Sequence, residues 1–459
     1  MRPVLPRIVT GLGAGFVATL AMSLVVAGGK RLGLLGEPPP RRIVRRFLER
    51  GGWRRPRPAA LSVSALAAHL GFGASMGGIY GVLPARTHSP LGGWAFGMLV
   101  WAANYAGWLP KAGLMPRPLL DRPGRPSTMV AAHLVFGRVL AAVLGRRRRQ
   151  SLAGKNVLLT GGSRGLGLEI ARVLVAKGAH VALVARDAEA LERAAALLRQ
   201  RARPGVRIFV EACDVTEPGA IGPLLDRLRA GLGLVDVLVN NAGVIQVGPL
   251  DSMRVQDFEQ ATRIHYFAPL ELMLGVRADM RARGGGRIAN VASIGGAVSV
   301  PHLLPYSGSK FALVGLSRGM RTELAADGIV VTTVLPGLMR TGSPRNASFK
   351  GEHRKEYAWF KLADSLPIAS ISSQRAARRI VRALEYGESE VVLGWAAQAA
   401  ALASGVAPGL VASALGLVHR LLPSGDDPTE LRGYECESNL VPRGLTLLTD
   451  RAAIRNNER

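Results

Sequence analysis

Hydrophobic and polar positions divide the chain into parts that follow different patterns. Up to about residue 150, long uncharged runs alternate with basic stretches, whereas later apolar runs are short and alternate with helical patterns. Long runs are typical of membrane-spanning helices, and short runs separated by helices predict a parallel sheet covered on both faces. The sequence therefore predicts an all-α transmembrane module (1–150), an α/β domain with a doubly wound parallel sheet of about seven strands (151–395), and an apolar helical segment with a polar tail (396–459).

The predicted module contains four hydrophobic segments, at 8–29, 59–83, 91–109 and 129–144. The first has 22 residues without a charge, enough to cross a hydrocarbon core of about 30 Å. A cleaved signal peptide is the alternative, because Arg2 and Arg7 precede the segment, but the apolar stretch of such peptides is shorter. In the second segment, Gly73, Gly77 and Gly81 have the four-residue spacing that predicts close contact between helix backbones.

Basic residues indicate how the module is oriented. The chain has a formal net charge of +27, and residues 1–150 hold 22 Lys/Arg but only 3 Asp/Glu. Such a charge suits either nucleic acid or a membrane protein with cytoplasmic arginine loops. Because the arginines flank uncharged runs, we favour a multi-pass protein of a bacterial inner membrane and predict no nucleic-acid partner. The ten Lys/Arg between Lys30 and Arg57 then predict a cytoplasmic loop.

The fourth segment conflicts with this topology. If 129–144 crossed the bilayer, the basic run from Arg146 to Arg149 and the α/β domain would lie outside. The segment is short and contains His133 and Arg138, so we predict an amphipathic helix in the membrane interface. The α/β domain then lies on the cytoplasmic side, and two cysteines without a disulfide framework are consistent with a reducing compartment.

Seven apolar runs predict the strands of the α/β domain, at 156–160, 180–185, 207–212, 235–240, 287–292, 330–335 and 390–393. Helical patterns separate these runs, for example at 187–203, 257–283 and 305–327. In an open parallel sheet, ligands bind beyond the carboxyl ends of the strands. We therefore expect the ligand site to be formed by the residues that follow these runs.

The first run ends in a glycine-rich turn that opens a helical pattern. Glycines let the backbone approach a pyrophosphate closely, and a helix N-terminus offers free N–H groups and a partial positive charge. Alone, such a turn is a weak indication of a nucleotide site. We predict that it holds a dinucleotide through Thr160, Gly161, Ser163, Arg164, Gly165, Leu166 and Gly167.

The end of the second run indicates the type of dinucleotide. An acidic residue there would accept a hydrogen bond from the ribose 2′-hydroxyl of NAD, but position 185 is alanine and Arg186 follows. Arg186 and Arg164 can hold the 2′-phosphate of NADP in bidentate fashion. An ordinary surface arginine is the alternative in this arginine-rich chain, and we favour NADP(H) over NAD.

The third and fourth runs end in further candidate cofactor contacts. Asp214, followed by Val215, is placed to accept a hydrogen bond from the adenine amino group. Asn241, Ala242 and Gly243 form a tight polar turn that we expect beside the cofactor ribose.

A serine after the fifth run and a tyrosine–lysine pair complete the set of motifs. Tyr306 and Lys310 follow Ser293 and, at i and i+4, share one helix face. With the glycine turn, the 240–243 turn and Pro336-Gly337, residues 153–395 resemble the short-chain dehydrogenase/reductase (SDR) family. The resemblance implies a Rossmann fold, cofactor contacts from Pro336, Gly337 and Thr341, with Thr341 at the nicotinamide carboxamide, and a homodimer or homotetramer.

The residue types indicate how the chemistry would work. Reduction of a ketone needs a hydride from the nicotinamide and a proton for the developing alkoxide. The ordinary pKa of a tyrosine, near 10, is too high for ready proton exchange at neutral pH, and a nearby ammonium lowers it. We therefore predict Tyr306 as the acid in reduction and the base in oxidation, Lys310 as its activator and a ribose contact, and Ser293 as the group that holds the carbonyl oxygen. No metal site is predicted.

One position departs from the family pattern. Similar proteins carry an asparagine in the long helix after the fourth strand, where it anchors a water of the proton relay; here the matching residue is His265. Histidine can also bind water and move protons near neutral pH. The alternative is a packed helix histidine and a relay that bypasses it.

Two later segments bear on the substrate. Between Pro336 and Leu366, the usual place of a substrate lid, lie Met339, Phe349, Tyr357, Trp359 and Phe360, which suit an apolar substrate. Residues 391–418 carry no charge and are broken by Pro408. A further span, a helical hairpin dipping into one leaflet, and a helix pair over the substrate pocket remain open, and we favour association with the membrane surface.

Together these features predict a membrane-associated, NADP(H)-dependent oxidoreductase that interconverts a lipophilic alcohol and its ketone or aldehyde. The alternative is a membrane transport or signalling module with an NADP-sensing, reductase-like domain. A structural anchor fused to an inactive reductase is disfavoured by the intact Ser293, Tyr306 and Lys310. Residues 1–150 also loosely resemble YagU-like membrane proteins, a resemblance that implies no activity.

Overall fold

The computed structural model describes residues 4–52, 57–84, 87–144, 150–366, 370–438, 440–441 and 443–458. The chain forms two compact units, Met1–Arg148 (unit 1) and Arg149–Arg459 (unit 2). The basic run from Arg146 to Arg149, used above to predict orientation, lies outside the described residues.

Unit 1 is helical. Its helices are α1 (Val4–Arg31), α2 (Pro39–Arg50), α3 (Pro58–Val82), α4 (Pro90–Trp101), α5 (Leu109–Lys111) and α6 (Arg125–Leu144), with a π-helical segment, Ala102–Trp108, between α4 and α5. Within the described residues, three stretches are long and apolar enough to cross a membrane: Arg7–Arg31, Pro58–Val82 and Arg125–Leu144. The predicted third segment corresponds to α4, the π-helical segment and α5.

Glycines hold α1 and α3 close together. A Cβ placed on Gly77 would lie 2.3 Å from the carbonyl oxygen of Gly11, and one on Gly15 would lie 2.3 Å from that of Gly73. No side chain fits in such a contact, so the four-residue glycine spacing in the sequence does reflect a close approach of two helix backbones.

The position of α6 differs from the one predicted for residues 129–144, which was an amphipathic helix in the membrane interface. It begins at Arg125, packs against α1 and α4, and buries Ala132, Phe136 and Leu140 in the centre of unit 1. Its Gly137 lies directly against α4, where a Cβ would come within 1.9 Å of the carbonyl oxygen of Gly93. An amphipathic helix at a membrane surface would keep one face polar, whereas α6 has partners within the bundle.

Unit 2 is built on seven parallel strands. The strands of the chain are β1 (Asn156–Thr160), β2 (His180–Ala185), β3 (Ile208–Ala212), β4 (Val237–Asn240), β5 (Gln246–Val247), β6 (Gly286–Val291), β7 (Ile329–Pro336), β8 (Met339–Arg340), β9 (Ser348–Phe349), β10 (Ile371–Ser372), β11 (Glu390–Leu393) and β12 (Leu431–Arg432). The large sheet has the order β11-β7-β6-β4-β1-β2-β3. Each of its strands lies within two residues of a predicted run, which confirms the doubly wound α/β fold.

Helices cover both faces of this sheet. They are α7 (Gly165–Ala176), α8 (Ala188–Arg199), α9 (Ile221–Leu232), α10 (Val255–Thr262), α11 (Ala268–Ala282), α12 (Leu304–Glu323), α13 (Ser343–Asn346), α14 (His353–Ser365), α15 (Ser373–Tyr386), α16 (Trp395–Val406), α17 (Pro408–His419) and α18 (Arg443–Arg455). A π-helical segment, Arg263–Phe267, joins α10 to α11. One apolar core lies between the sheet and the helices α7, α8 and α15, and a second between the sheet and the helices α9 and α11.

The uncharged segment 391–418 forms two short helices in unit 2. At 12 residues each, α16 and α17 are about 18 Å long, too short for either to cross a bilayer. The break falls at Ala407-Pro408, as the proline suggested. The polar tail wraps unit 2, contributing β12 and α18.

Candidate active site

The site lies where the strand order reverses, between the carboxyl ends of β1 and β4. The Thr160 hydroxyl accepts hydrogen bonds from the backbone N–H groups of Asn241, at 3.0 Å, and Ala242, at 3.1 Å. In return, the Asn241 side-chain amide donates to the carbonyl oxygens of Thr160 and Gly161. These bonds lock the glycine turn to the 240–243 turn, so the two predicted motifs form one structure. A crevice at such a switch point is where doubly wound sheets bind nucleotides.

Glycine is required in the first turn for two reasons. Gly161 and Gly165 have φ values of +66° and +60°, in the left-handed region that favours glycine. At Gly167, a Cβ would lie 2.0 Å from the Gly161 carbonyl oxygen. The chain can therefore fold tightly from β1 into the first turn of α7, whose first residues line the crevice.

A cleft of about 300 Å³ runs along this edge of the sheet. It brings together the following predicted cofactor residues: Gly161, Ser163, Arg164, Gly165, Leu166, Gly167, Arg186, Asp214, Val215, Asn241, Ala242 and Gly243. Thr160, Pro336, Gly337 and Thr341 lie outside its lining. Thr341 is buried with its hydroxyl bonded to that of Ser343, so a contact of Thr341 with a carboxamide remains a prediction.

The two arginines predicted to select the cofactor both reach this cleft. Arg186 is 60% exposed and lies 3.6 Å from the Asp214 carboxylate. Arg164 donates to the Asn346 side-chain oxygen at 2.9 Å. Burial raises the pKa of Asp214, but hydrogen bonds from Thr216 and the nearby Arg186 outweigh it and hold the pKa below its ordinary value. The carboxylate is therefore charged and orients Arg186 at the end of β2.

Ser293, Tyr306 and Lys310 come together at the end of β6. The Ser293 hydroxyl accepts from the Gly295 backbone N–H at 3.0 Å, and both Ser293 Oγ and the Tyr306 ring lie within 3.4 Å of where a Cβ on Gly295 would stand. Lys310, one turn further along α12, donates from Nζ to the Val291 carbonyl oxygen at 3.0 Å and lies 5.6 Å from the centroid of the Tyr306 ring. The predicted cluster therefore exists, although the ammonium points to a backbone oxygen rather than to the phenol.

This geometry reverses the expected direction of the Tyr306 pKa shift. Burial raises the pKa of Tyr306 to about 12, against the lowering effect of the nearby Ser293 hydroxyl. Burial also lowers the pKa of Lys310 to about 7. Without a cofactor charge, the phenol thus stays protonated at neutral pH, the state needed of a proton donor.

His265 is buried in the π-helical segment with both ring nitrogens occupied. Nδ1 pairs with the Ser309 hydroxyl at 2.8 Å, and Nε2 accepts from the Val244 N–H at 3.2 Å. Burial and the nearby Lys310 hold the pKa of His265 well below its ordinary value. The neutral ring braces the loop after β4 against α12, which favours the packed-histidine interpretation over an acid in the relay.

Most of the predicted lid packs against Tyr306. Phe349, Tyr357 and Phe360 are buried in one apolar cluster against which Tyr306 and Trp359 pack. A buried hydrogen bond supports this cluster, in which His302 Nδ1 lies 2.8 Å from a carboxylate oxygen of Glu356. Four of the five predicted lid residues therefore lie together beside Tyr306, whereas Met339 packs against the sheet core.

Sequence reasoning missed the residues that close the cleft from distant parts of the chain: Ser343, Asn346, Arg432 and Glu458. The Glu458 carboxylate accepts from the Gly342 N–H at 2.6 Å. Asn456 and Asn457, just before it, hydrogen-bond the glycine turn itself. Nothing in the local pattern of the polar tail signals such a contact, which joins positions almost 300 residues apart.

Comparisons with known proteins agree with this geometry. The model of the short chain dehydrogenase family matches residues 155–350. A fatty acyl-CoA reductase of Acinetobacter baylyi is 37% identical over 195 residues, 42% of this chain and 65% of that protein. A D-threitol dehydrogenase of Mycolicibacterium smegmatis is 34% identical over 190 residues, 41% of this chain and 72% of that protein.

A solved short-chain dehydrogenase from Streptomyces avermitilis is 30% identical, with a TM-score of 0.51, over 59% of this chain and 99% of that structure. The chain spans less than two thirds of the fatty acyl-CoA reductase. It spans 72% of the threitol dehydrogenase.

A nucleotide cleft at the switch point of a doubly wound sheet, with a Ser–Tyr–Lys cluster beside it, defines an oxidoreductase of the dinucleotide-dependent class. The chain belongs to the short-chain dehydrogenase/reductase family.

Proposed function

We propose that this protein is a membrane-tethered, NADP(H)-dependent oxidoreductase that interconverts a lipophilic alcohol and its ketone or aldehyde. The observation that carries the proposal is the cluster that Ser293, Tyr306 and buried Lys310 form beside the cleft. A hydroxyl, a protonated phenol and an amine in one water-poor pocket are what carbonyl reduction requires from the protein.

Each side chain then has a distinct part in reduction. Ser293 donates a hydrogen bond to the substrate carbonyl oxygen and orients it towards the phenol. Bound NADPH would supply a hydride to the carbonyl carbon. Tyr306 gives its proton to the oxygen as the alcohol forms, and the resulting phenolate is stabilised by protonated Lys310 until it regains a proton from solvent. Oxidation runs through the same groups in reverse.

The cofactor preference follows from the charges in the cleft. Arg186 and Arg164 are guanidinium groups at the adenosine end, and a 2′-phosphate can bind both. A carboxylate at position 185, which would favour NAD, is absent from the sequence. These features support NADP(H).

The substrate class is inferred from the lid and from a relative. The lid presents aromatic side chains to the phenol, and the Acinetobacter relative is a fatty acyl-CoA reductase. Both favour a long apolar substrate, which partitions into a bilayer.

Unit 1 would tether the enzyme through its long apolar helices. We place unit 2 on the cytoplasmic side because NADP(H) is supplied there and because four arginines directly follow α6.

The loop with the ten basic residues between Lys30 and Arg57 lies on this same side only if the number of segments that cross the bilayer is odd. Labelling of cysteines introduced at positions 34, 88 and 119, and of the native Cys213, in intact spheroplasts and in inverted vesicles shows which side of the membrane each part of the chain faces. The proposed side fails if Cys213 reacts with a membrane-impermeant thiol reagent in intact spheroplasts. The loose YagU-like resemblance of unit 1 remains a prediction.

A second candidate function is a transport or signalling module controlled by NADP binding. It is favoured by a mainly apolar cavity of about 360 Å³ inside unit 1, which His69, Phe72, Asn104 and His133 line. In that case hydride transfer would be incidental to the cellular role.

Tyr306→Phe separates these functions. We expect NADPH oxidation by the detergent-solubilised full chain, with long-chain aldehydes, sterol ketones and acyl ketones as substrates, to fall roughly 100-fold or more in the variant. NADPH binding should persist, and Tyr434→Phe, at an exposed tyrosine, should match wild type. Full turnover in Tyr306→Phe contradicts the mechanism, and an unchanged cellular phenotype despite lost turnover favours the second candidate.

A further inference from the structure

Helices α16 and α17 form an uncharged hairpin, residues 395–419, with one side exposed. No Asp, Glu, Lys or Arg occurs between residues 391 and 418. The large apolar side chains of this hairpin are largely exposed: Trp395 64%, Leu402 69%, Val406 76%, Leu410 75% and Leu417 63%. No residue of α17 is buried. An exposed apolar surface of this extent marks a site at which a protein associates with a membrane or with another molecule.

The opposite side of the hairpin rests on the loops of the active site. The Ser404 hydroxyl donates to the Ala297 carbonyl oxygen at 3.0 Å, four residues beyond Ser293. The His419 ring lies 5.3 Å, between centroids, from the ring of His302, four residues before Tyr306. The hairpin thus lies between solvent and the segment that carries the serine and the tyrosine.

We propose that the α16–α17 hairpin docks in the interface of a lipid bilayer and forms the passage by which lipophilic substrate reaches Tyr306. This rests on the proposed function. Both helices are too short to cross the bilayer, so the hairpin lies within one leaflet. Trp395 at its start and Arg420 after its end suit the headgroup region. Unit 2 directly follows unit 1, which contains helices of membrane-spanning length. The partner of the hairpin is therefore a bilayer rather than a second copy of this chain.

Spin labels test the docking independently of enzyme activity. Single cysteines at Val406 and Leu410, in a Cys213→Ser and Cys436→Ser background, are labelled in the full chain reconstituted in phosphatidylglycerol–phosphatidylethanolamine vesicles. We expect both labels to be accessible to oxygen and protected from a water-soluble nickel chelate. A label at Leu250, 61% exposed on another part of unit 2, serves as control and should be open to the chelate. Equal chelate access at all three positions overturns the proposal, and dipolar broadening between labels overturns it in favour of a second copy.

Enzyme kinetics test whether the hairpin forms the passage for the substrate. Leu402→Asp with Leu410→Asp should raise KM for a long-chain aldehyde such as decanal at least fivefold in vesicles. KM for propanal and both kcat values should stay at wild-type levels, as should all values for the control Val255→Asp. An equal effect on both aldehydes overturns the passage. Absence of turnover in wild type would instead refute the proposed function and leave the spin-label result standing.

A second, independent observation concerns the segment 443–458, here called the C-terminal strap. Its Asn456 carbonyl oxygen accepts from the Gly165 N–H at 2.9 Å, and the Asn457 side chain donates to the Ser163 carbonyl oxygen at 2.9 Å. Gly165 is the first residue of α7, so the strap takes up a donor at the helix N-terminus that would bind a pyrophosphate.

The strap also places a carboxyl group across the cleft. Glu458 is 8% exposed, and its carboxylate bonds the Gly342 N–H on one wall. On the other wall, its second oxygen lies 3.1 Å from where a Cβ on Gly165 would stand. Carboxylates and phosphates bind helix N-termini through the same N–H groups.

We propose that the docked strap occupies the dinucleotide site with Glu458 in place of the pyrophosphate, and that NADP(H) displaces it. The strap therefore lowers cofactor affinity and closes the cleft when cofactor is scarce. This proposal, too, rests on the proposed cofactor.

Titration of the full chain with NADPH, followed by hydrogen exchange, tests the strap. We expect Glu458→Gln and Asn457→Ala to bind NADPH at least fivefold more tightly than wild type, with Glu437→Gln unchanged as the control. In wild type, NADPH should protect residues 160–167 and increase exchange in 443–458. Protection of both segments, or weaker binding in Glu458→Gln, overturns the strap proposal. Failure of NADPH to protect 160–167 in any variant would instead refute the cofactor assignment.

Discussion

Arg186→Ala is the most direct test of the cofactor assignment. Arg186 follows β2, is 60% exposed and is held by Asp214 at 3.6 Å. A charge-assisted hydrogen bond contributes about 1.5–3 kcal/mol when desolvated, and exposed ion pairs contribute about 0–1 kcal/mol. For a side chain that is more than half exposed, we expect a loss of about 1–2 kcal/mol, which corresponds to roughly a 5- to 30-fold weaker affinity for NADPH.

The same substitution should leave NADH binding unchanged, because NADH lacks the 2′-phosphate that Arg186 would hold. Steady-state KM and direct Kd values for both cofactors, measured with the full chain in detergent, give the comparison. Arg193→Ala is the matched control, since Arg193 is an exposed arginine on α8 whose partner is Glu189. If Arg186→Ala lowers the affinity for both cofactors equally, or for neither, Arg186 does not bind the 2′-phosphate. The preference for NADP(H) then loses its structural basis.

Three further predictions follow from the geometry of the two units. His265→Asn should keep kcat within about threefold, because the imidazole acts through two hydrogen bonds that an amide can replace; a collapse of kcat at unchanged Tm would show a catalytic role. Gly77→Leu should lower the Tm of the detergent-solubilised protein, because a Cβ there would lie 2.3 Å from the Gly11 carbonyl oxygen, whereas Gly28→Leu, in open space, should not; equal Tm values would refute the helix contact. Burial raises the pKa of Asp364 to about 7. Protonated Asp364 therefore contributes its full stability below about pH 4, and this contribution is lost as pH rises through 7. The gain in Tm from Asp364→Asn should be larger at pH 8 than at pH 5, and equal gains at both pH values would contradict the raised pKa.

Much of unit 2 could be predicted because its signals are local. Each strand of the large sheet is a short apolar run, and the pairing of Tyr306 with Lys310 on one face needs only the period of a helix. The glycine turn was recognisable because positive φ values and a 2.0 Å approach leave no other residue type at these positions. In unit 1, the glycine spacing of α3 likewise identified the face that meets α1.

Other features depend on contacts that no short stretch of sequence specifies. The sequence placed an ammonium near the Tyr306 phenol, but burial and the bond to Val291 determine where that ammonium points and which way both pKa values move. Likewise, α6 was expected at the membrane surface from its few polar residues, and its place in the bundle is set by the fit of Gly137 against α4.

The sequence by itself thus determined the order of elements, the nucleotide turn and the identity of the reactive side chains, because periodicity and backbone conformation are encoded within a few neighbouring residues. Only the tertiary structure decided that the C-terminal strap reaches the glycine turn, that an uncharged hairpin covers the active-site loops, and that the pKa of the Tyr306 phenol is raised rather than lowered. These depend on desolvation and on contacts between residues far apart in the chain, and such interactions exist only once the sheet has formed and the distant segments have packed on it.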